Sequence, residues 1–164
     1  MNTKLNIKWG IWVKMITFVS LLLISFAEYY TIRLLFQSID WITLAVAVII
    51  PVVILYFAME SPVSIEIDNS KFILNKIRGK LMIDFDQISR IELYRPDASE
   101  LRYFGSGGVF GFVGRFHNAN IGKYKSYVGD WKQAFLIQTK TGENYVFSCD
   151  RRNFVVETIK KLIK

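Results

Sequence analysis

Two long apolar stretches near the N-terminus dominate the hydrophobic pattern of the chain. The second stretch, Trp41 to Met59, is 19 residues long and contains no charged side chain. As an α-helix it would be about 28 Å long, close to the ~30 Å hydrocarbon thickness of a membrane. Trp41 and Tyr56 lie near its ends, where aromatic rings favour the interface, and Pro51 is tolerated in a membrane helix. The pattern predicts a transmembrane helix, since 164 residues are too few to surround it in a soluble core.

The first apolar stretch predicts another membrane helix, over about residues 11–36. Its core, Met15 to Ala27, is as short as the apolar region of a signal peptide, and Ser25–Ala27 resembles a cleavage site. However, apolar residues resume between Tyr29 and Phe36, and only a few polar residues precede Trp41. These features favour a helical hairpin, with signal-peptide cleavage as the alternative.

The positive charges that flank the two stretches predict the orientation of the chain. Lys4, Lys8 and Lys14 precede the first helix, whereas the connection around Gln37 to Asp40 contains no Lys or Arg. Loops rich in Lys and Arg remain in the cytoplasm. We therefore expect a multi-pass protein of the cytoplasmic (inner) membrane with both termini and the C-terminal domain in the cytoplasm. Cleavage after Ala27 would leave that domain on the same side.

Two ionisable residues, Glu28 and Arg33, lie within the first apolar stretch. They are five residues apart and so do not share one face of a helix. Charged groups at membrane depth often mark a functional site. Here we expect both to lie at the outer end of the helix, within reach of headgroups, and to serve only as part of the anchor.

After the second helix the period changes to the two-residue alternation of half-buried strands. Val63, Ile65 and Ile67 alternate with polar residues, and Asp68–Ser70 and Arg78–Gly79 are typical of turns. Similar patterns recur, at intervals that indicate an antiparallel meander. The predicted strands are residues 62–68, 71–77, 81–85, 88–94, 122–128, 132–139 and 144–149.

The C-terminal residues have the period of an amphipathic helix, with Asp150 as the expected N-cap. Its predicted apolar face consists of Phe154, Val155, Ile159, Leu162 and Ile163. Such a face is suited to covering the core of a β-domain. The division expected from these patterns is a membrane anchor over residues 1–61 and a folded domain over residues 62–164.

Composition and charge agree with this division. The chain is 52% hydrophobic, with a mean hydropathy of +0.27, yet its net charge is +7. Four of the 21 basic residues and two of the 14 acidic residues lie within residues 1–59, and the others follow. The single cysteine, Cys149, excludes an intramolecular disulfide, and the single histidine, His117, leaves no ligand set for a usual zinc site.

No catalytic constellation is recognisable in the sequence. The glycine-rich segment, residues 102–116, lacks the Walker lysine and the following helix of a phosphate-binding loop, so we interpret it as a wide turn. His117 has no identifiable nucleophile partner with the strained turn of a hydrolase. Scattered basic residues on a membrane-tethered chain also argue against nucleic-acid binding. We expect a protein that is not an enzyme and has no cofactor or metal ion.

Four segments of the chain resemble the bacterial PH-like domains that occur beside transmembrane hairpins. They are DFDQISRIEL (residues 84–93), FGSGGVFGFVGRF (104–116), IGKY (121–124) and YVFSCDRRNFVVETIKKL (145–162). The resemblance covers roughly 100 residues and implies about seven strands and a capping helix. The expected fold is thus two transmembrane α-helices followed by a mainly antiparallel β PH-like barrel or sandwich with a C-terminal α-helix.

The resemblance implies a binding function and leaves two alternatives. One is an adaptor or assembly module that binds a protein partner, or itself, at the membrane. The other is binding of anionic lipid through the basic residues Lys76, Arg78 and Lys80. Phe110 and Phe112 of the glycine-rich segment could also enter the membrane interface or pack on the helices. These five residues are the candidate contacts with membrane or lipid.

Overall fold

The computed structural model describes residues 3–38 and 40–163, and both predicted apolar helices are present in it. Helix α1 extends over Ile11–Gln37 and helix α2 over Trp41–Met59. The Asp40 carboxylate accepts a hydrogen bond of 3.1 Å from the Thr43 backbone N–H and so caps α2. Helix α2 continues through Pro51.

Both helices are long and apolar enough to cross a membrane. None of the apolar window of α2 is buried within the protein. A helix in the core of a soluble protein would instead be covered on most sides. The two helices pack against each other, which confirms the predicted helical hairpin (α1–α2) as an element of the fold.

Ten strands and a C-terminal helix, α3, form the rest of the structure. The strands divide into two sheets, ordered β1-β2-β3-β4 and β5-β9-β10-β8-β7-β6. Only β8 and β10 are parallel. The strand bounds are β1 Thr3–Asn6, β2 Pro62–Ile67, β3 Lys71–Lys76, β4 Lys80–Asp84, β5 Ile88–Leu93, β6 Leu101–Gly108, β7 Gly111–Asn118, β8 Gly122–Val128, β9 Ala134–Thr139 and β10 Asn144–Ser148.

Strand β1 precedes the helical hairpin and was missed by the sequence interpretation. It pairs antiparallel with β2, the strand that follows the hairpin, with Leu5 opposite Ile65. Leu5 is buried in the main core, and Lys4 lies 3.7 Å from the Glu66 carboxylate. The segment is too short for its alternation to be distinguished from a charged helix flank. The chain therefore enters and leaves the hairpin through neighbouring strands.

The glycine-rich segment is a β-hairpin, and its interpretation as a wide turn was wrong. Strands β6 and β7 pair antiparallel, with a shift of register between Arg102 and Phe104 and with Gly105 opposite Gly114. Both glycines have positive φ, and a Cβ atom on either would lie 2.2 Å from a carbonyl oxygen of the opposite strand. The glycines thus permit close approach of two backbones.

Two cores lie on opposite faces of the six-stranded sheet. The larger fills the space between the two sheets and α3, and includes Phe72, Phe135 and Phe147. The smaller, on the other face, includes Tyr124 and Leu136. The sheets do not close into a barrel, so the two sheets with α3 form a sandwich-like body, called the sandwich below.

Helix α3 extends over Arg152–Leu162 and contributes Val155, Val156 and Ile159 to the larger core. Its N-cap is Arg151, so the expectation of Asp150 at this position was wrong. Asp150 instead lies 3.6 Å from the ammonium group of Lys8. The predicted apolar face was correct in part, because Phe154 and Leu162 are exposed.

Candidate functional site

The turn between β6 and β7 joins the sandwich to the helical hairpin. The Thr17 hydroxyl of α1 donates to the Gly108 carbonyl at 3.2 Å and accepts from the Phe110 backbone N–H at 3.0 Å. The Ser61 hydroxyl, just after α2, donates to the Phe110 carbonyl at 2.8 Å. Thr17 and Ser61 are both buried. This junction therefore links one turn of the sandwich to both helices.

The candidate aromatic residues of this segment have different environments. Phe110 is at the tip of the turn with φ of +58°, and its half-buried ring lies 6.2 Å from that of Trp9. The ring of Phe112 packs 5.1 Å from that of Trp131, beside the smaller core. The ring of Phe110 thus lies beside Trp9, which is between β1 and α1, whereas the Phe110 backbone N–H bonds to Thr17 of α1.

The three candidate basic residues lie around the β3–β4 turn, next to the end of α2. The Lys76 ammonium group is 2.7 Å from the Glu60 carboxylate, and its side chain is only 15% exposed. The Arg78 backbone N–H donates to the Met59 carbonyl at 2.9 Å. Arg78, Lys80 and Ile77, the apolar residue before Arg78, are exposed. The turn is thus held at the point where the chain leaves the helical hairpin.

A groove of about 370 Å³ opens beside this turn, between the end of α2 and strands β6–β8. Its walls are aromatic and apolar. Its charged groups are Glu60, just after α2, and Arg115 and Lys125 of the sheet. None of its lining residues is among the five candidate contacts predicted from the sequence. The lining residues are Tyr56, Phe57, Glu60, Phe104, Gly105, Val113, Gly114, Arg115, Lys125 and Tyr127.

The cations of the groove differ in their pairing. The Lys125 ammonium group lies 2.9 Å from Glu143, and this hydrogen bond raises the pKa of Lys125. Arg115 is exposed, and its guanidinium group has no hydrogen bond or ion pair with any residue that the structure describes. Burial raises the pKa of the Tyr127 hydroxyl, which therefore stays neutral. The groove can accept an anionic group at Arg115.

Among the described residues, strand β6 forms one edge of the six-stranded sheet and has only β7 beside it. Its first half displays apolar side chains, with Leu101, Tyr103 and Phe104 exposed by 63%, 52% and 58%. Proteins usually cover or charge such edges, because the unpaired backbone groups can accept another strand. This edge is a candidate surface for a protein partner.

A comparison with protein families supports the resemblance drawn from the sequence. A family model described as bacterial PH domain matches residues 63–163, more than half of the chain. The chain belongs to the bacterial PH domain family. No curated protein and no solved structure matches it significantly.

The matched residues of the bacterial PH domain include β2 from its second residue, all of β3 to β10 and all of α3, and follow the two apolar helices. PH-like domains are generally non-catalytic. Within the part of the chain that the structure describes, no group of His, Cys, Asp and Glu could hold a metal ion. Burial raises the pKa of the Cys149 thiol to about 11, so this cysteine is unreactive at neutral pH.

A polar cluster secures the start of β6 in the bacterial PH domain. Tyr94 and Tyr124 both donate hydrogen bonds to the Glu100 carboxylate, which also accepts from the Asn118 amide at 3.1 Å. Burial, followed by the bond to Glu100, raises the pKa of both tyrosines. Asn118 also donates to Asp97 at 3.0 Å. The cluster is structural, because its donors and acceptors satisfy one another.

Proposed function

We propose that this protein is a non-enzymatic, membrane-anchored PH-like adaptor that binds a protein partner, or a second copy, at the cytoplasmic membrane face. The observation that carries this proposal is the exposed apolar edge of β6. An extended segment of a partner can pair with such an edge through backbone hydrogen bonds. Leu101, Tyr103 and Phe104 would supply the side-chain contacts.

The attachment of the sandwich to the helices supports a role at the membrane. Pairing of β1 with β2 implies that, if the helical hairpin spans a membrane, the N-terminus and the sandwich lie on the same side. The concentration of Lys and Arg on that side favours the cytoplasm. The bonds from Thr17 and Ser61 restrict rotation of the sandwich, so β6 is presented in one orientation.

Site-specific photo-crosslinking of the full chain in native membranes tests this proposal. A photoreactive residue in place of Tyr103 should yield a discrete adduct, and Phe104→Lys should remove that adduct. Met82, an exposed residue of β4, is the matched control position on another sheet edge. The same adduct from position 82, or none from position 103, would contradict docking at β6.

Anionic-lipid binding is the second candidate, supported by the groove and the neighbouring β3–β4 turn. Arg115 and the exposed Arg78 and Lys80 are available to phosphate groups, whereas Lys76 is occupied by Glu60. Each basic residue near an anionic surface contributes about 1 kcal/mol. Ile77 adds an exposed apolar side chain at the tip of the turn.

Hydrogen exchange of the full chain in nanodiscs separates the two candidates. Residues 1–61 must be retained, because β1 completes the four-stranded sheet. Lipid binding predicts slower exchange around residues 77–80 and 113–115 in anionic than in neutral discs, with the difference lost in high salt. Equal exchange in both discs would remove the lipid candidate and leave adaptor function unaffected.

A further inference from the structure

Two arginines without partners flank the exposed edge of the six-stranded sheet. Arg102 belongs to the edge strand β6 itself, and Arg115 belongs to its neighbour β7. Both are exposed, and neither guanidinium group has a hydrogen bond or ion pair with any residue that the structure describes. Guanidinium groups bind carboxylates through two parallel hydrogen bonds. The edge therefore offers two free guanidinium groups to an acidic ligand.

The two arginines lie on opposite faces of the sheet. Arg102 is opposite Phe116, which belongs to the smaller core, whereas Arg115 is opposite Phe104 on the other face. Residues directly opposite each other share one face. Successive residues of an extended segment point to alternate faces. A segment paired with β6 would thus direct neighbouring carboxylates toward both arginines.

The spacing of strands permits both contacts. A segment beside β6 would lie about 5 Å from the backbone of β6 and about 10 Å from that of β7. Arg102 is then in the adjacent strand, and the long side chains of Arg115 and a glutamate can bridge the second gap. Tyr103 and Phe104, between the two arginines, provide exposed apolar surface.

Two lysines of β8 add positive charge behind Arg115. Lys125 is directly opposite Arg115, and Lys123 lies two residues away on the same face. Glu143 pairs with Lys125 at 2.9 Å, whereas Lys123 is exposed and has no ion pair in the described part of the chain. Like charges in opposite positions destabilise a sheet. An acidic ligand would reduce this repulsion and would be attracted from solution.

A second copy of the chain does not provide the carboxylates at this edge. In a symmetric pair the contact strand would again be β6, whose sequence, LRYFGSGG, contains Arg102 and no acidic residue. Two copies would therefore place like charges together, which disfavours the contact. The net charge of the chain, +7, acts in the same direction.

We propose that the partner that docks on β6 is an acidic, extended segment of a different protein. Its backbone pairs with β6, its carboxylates bind Arg102 and Arg115, and its apolar residues contact Tyr103 and Phe104. This inference rests on the proposed docking at β6 and assigns the chemistry of the partner, a different protein rather than a second copy.

Peptide binding to the full chain in neutral nanodiscs tests the charge preference. The probes are labelled peptides with Val-Val-Glu-Glu or Val-Val-Lys-Lys repeats, and fluorescence anisotropy measures their binding. Arg102→Glu and Arg115→Glu should each weaken binding of the acidic peptide by about fivefold, the upper range for an exposed ion pair. Lys160→Glu, at an exposed position on α3, is the control with the same change in net charge. Equal weakening by Lys160→Glu, or equal binding of the basic peptide, would overturn the proposal.

The photo-crosslinked adduct of position 103 in native membranes separates this inference from the proposed function. Arg102→Glu combined with Arg115→Glu should remove the adduct, and Lys160→Glu should retain it. Arg102→Gln combined with Arg115→Gln, which removes the charges with less disturbance of the fold, should also lower the yield. An adduct that persists in both double variants would leave docking at β6 intact and overturn the acidic partner.

An anionic membrane is the alternative ligand of these arginines. Hydrogen exchange of residues 101–104 should become slower when the acidic peptide is added in neutral discs, and should be the same in anionic and neutral discs without peptide. Slower exchange of these residues in anionic discs alone would assign the edge to the membrane and overturn the proposal.

Discussion

Single residues decide how closely β6 and β7 approach each other. Gly105 has φ of +112°, and a Cβ there would lie 2.2 Å from the Val113 carbonyl oxygen. Gly142 also has positive φ, +84°, but nothing lies within 4 Å of its Cβ position. The two glycines therefore separate the effect of backbone strain from that of steric contact.

We predict that Gly105→Ala lowers the free energy of unfolding much more than Gly142→Ala. Strain alone costs about 1–3 kcal/mol for a side chain at positive φ. The contact with the opposite backbone adds to this cost at Gly105, because the strands must move apart. Thermal unfolding of the full chain in detergent measures both changes. Equal shifts in melting temperature would contradict the close approach.

The tyrosines around Glu100 make stability sensitive to alkaline pH. Their pKa values are raised in the folded state, so their contribution is complete below the unfolded pKa of 10.0. It decreases above that pH, because ionisation is easier in the unfolded chain. Tyr124→Phe should therefore reduce the loss of stability between about pH 10 and 12. Tyr103→Phe, on the exposed edge outside this cluster, is the control for removal of a tyrosine hydroxyl and should leave the free energy of unfolding at neutral pH nearly unchanged.

At the scale of elements, β1 shows how a short strand acquires its structure from a distant segment. Residues 3–6 contain one buried apolar residue, Leu5, and otherwise polar or charged residues. Their strand conformation depends on hydrogen bonds with β2, which is separated from them by both helices. Closing this long connection is favourable only because the helical hairpin brings its two ends together.

We predict that Leu5→Ala destabilises the sandwich by about 2–5 kcal/mol, the usual range for a buried leucine. Lys4→Ala is the control, because Lys4 makes only an exposed ion pair with Glu66, which contributes about 0–1 kcal/mol. Hydrogen exchange along β2 should become faster in the first variant only. Equal protection of β2 in both variants would show that β1 is dispensable.

At the scale of the whole molecule, hydrogen bonds at the junction couple the sandwich to the helical hairpin. The hydroxyl group of Thr17 bonds to the Gly108 carbonyl and to the Phe110 backbone N–H. Its replacement by valine keeps the shape but leaves a buried carbonyl and N–H without their partner. The connection through Ser61 would remain, so the expected effect is greater motion rather than unfolding.

We predict that Thr17→Val broadens the distance distribution between spin labels on α2 and on the sandwich. Thr31→Val is the matched control, because the Thr31 hydroxyl bonds only within its own helix, to Ala27 at 3.0 Å.

Phe110→Ser should increase protease cleavage at the β6–β7 turn, since its ring packs near Trp9. An unchanged distribution and cleavage pattern would argue against a rigid junction.

Elements that depend on neighbouring residues in the chain were predicted correctly, whereas features that depend on distant residues were not. Helix α2 was predicted with its observed ends, because an uninterrupted apolar run is a local pattern. The β3–β4 turn was likewise predicted from Arg78–Gly79. The glycine-rich segment was misinterpreted, because a high glycine content is typical both of a loop and of two strands whose backbones lie close together. The candidate groove was missed, since its walls combine the end of α2 with strands β6, β7 and β8, which follow much later in the chain.

The sequence by itself determined two apolar helices, a series of strands and a terminal helix, because periodicity and local turn residues encode such elements. The resemblance of its segments to bacterial PH-like domains gave the family. Only the tertiary structure decided that β1 joins the sheet of β2 and that Thr17 bonds the β6–β7 turn. It also decided that the Oε1 atom of Glu28 is buried, with no hydrogen-bond partner among residues 3–38 and 40–163. Pairing and burial depend on residues far apart in the chain, and no local pattern records which of them meet.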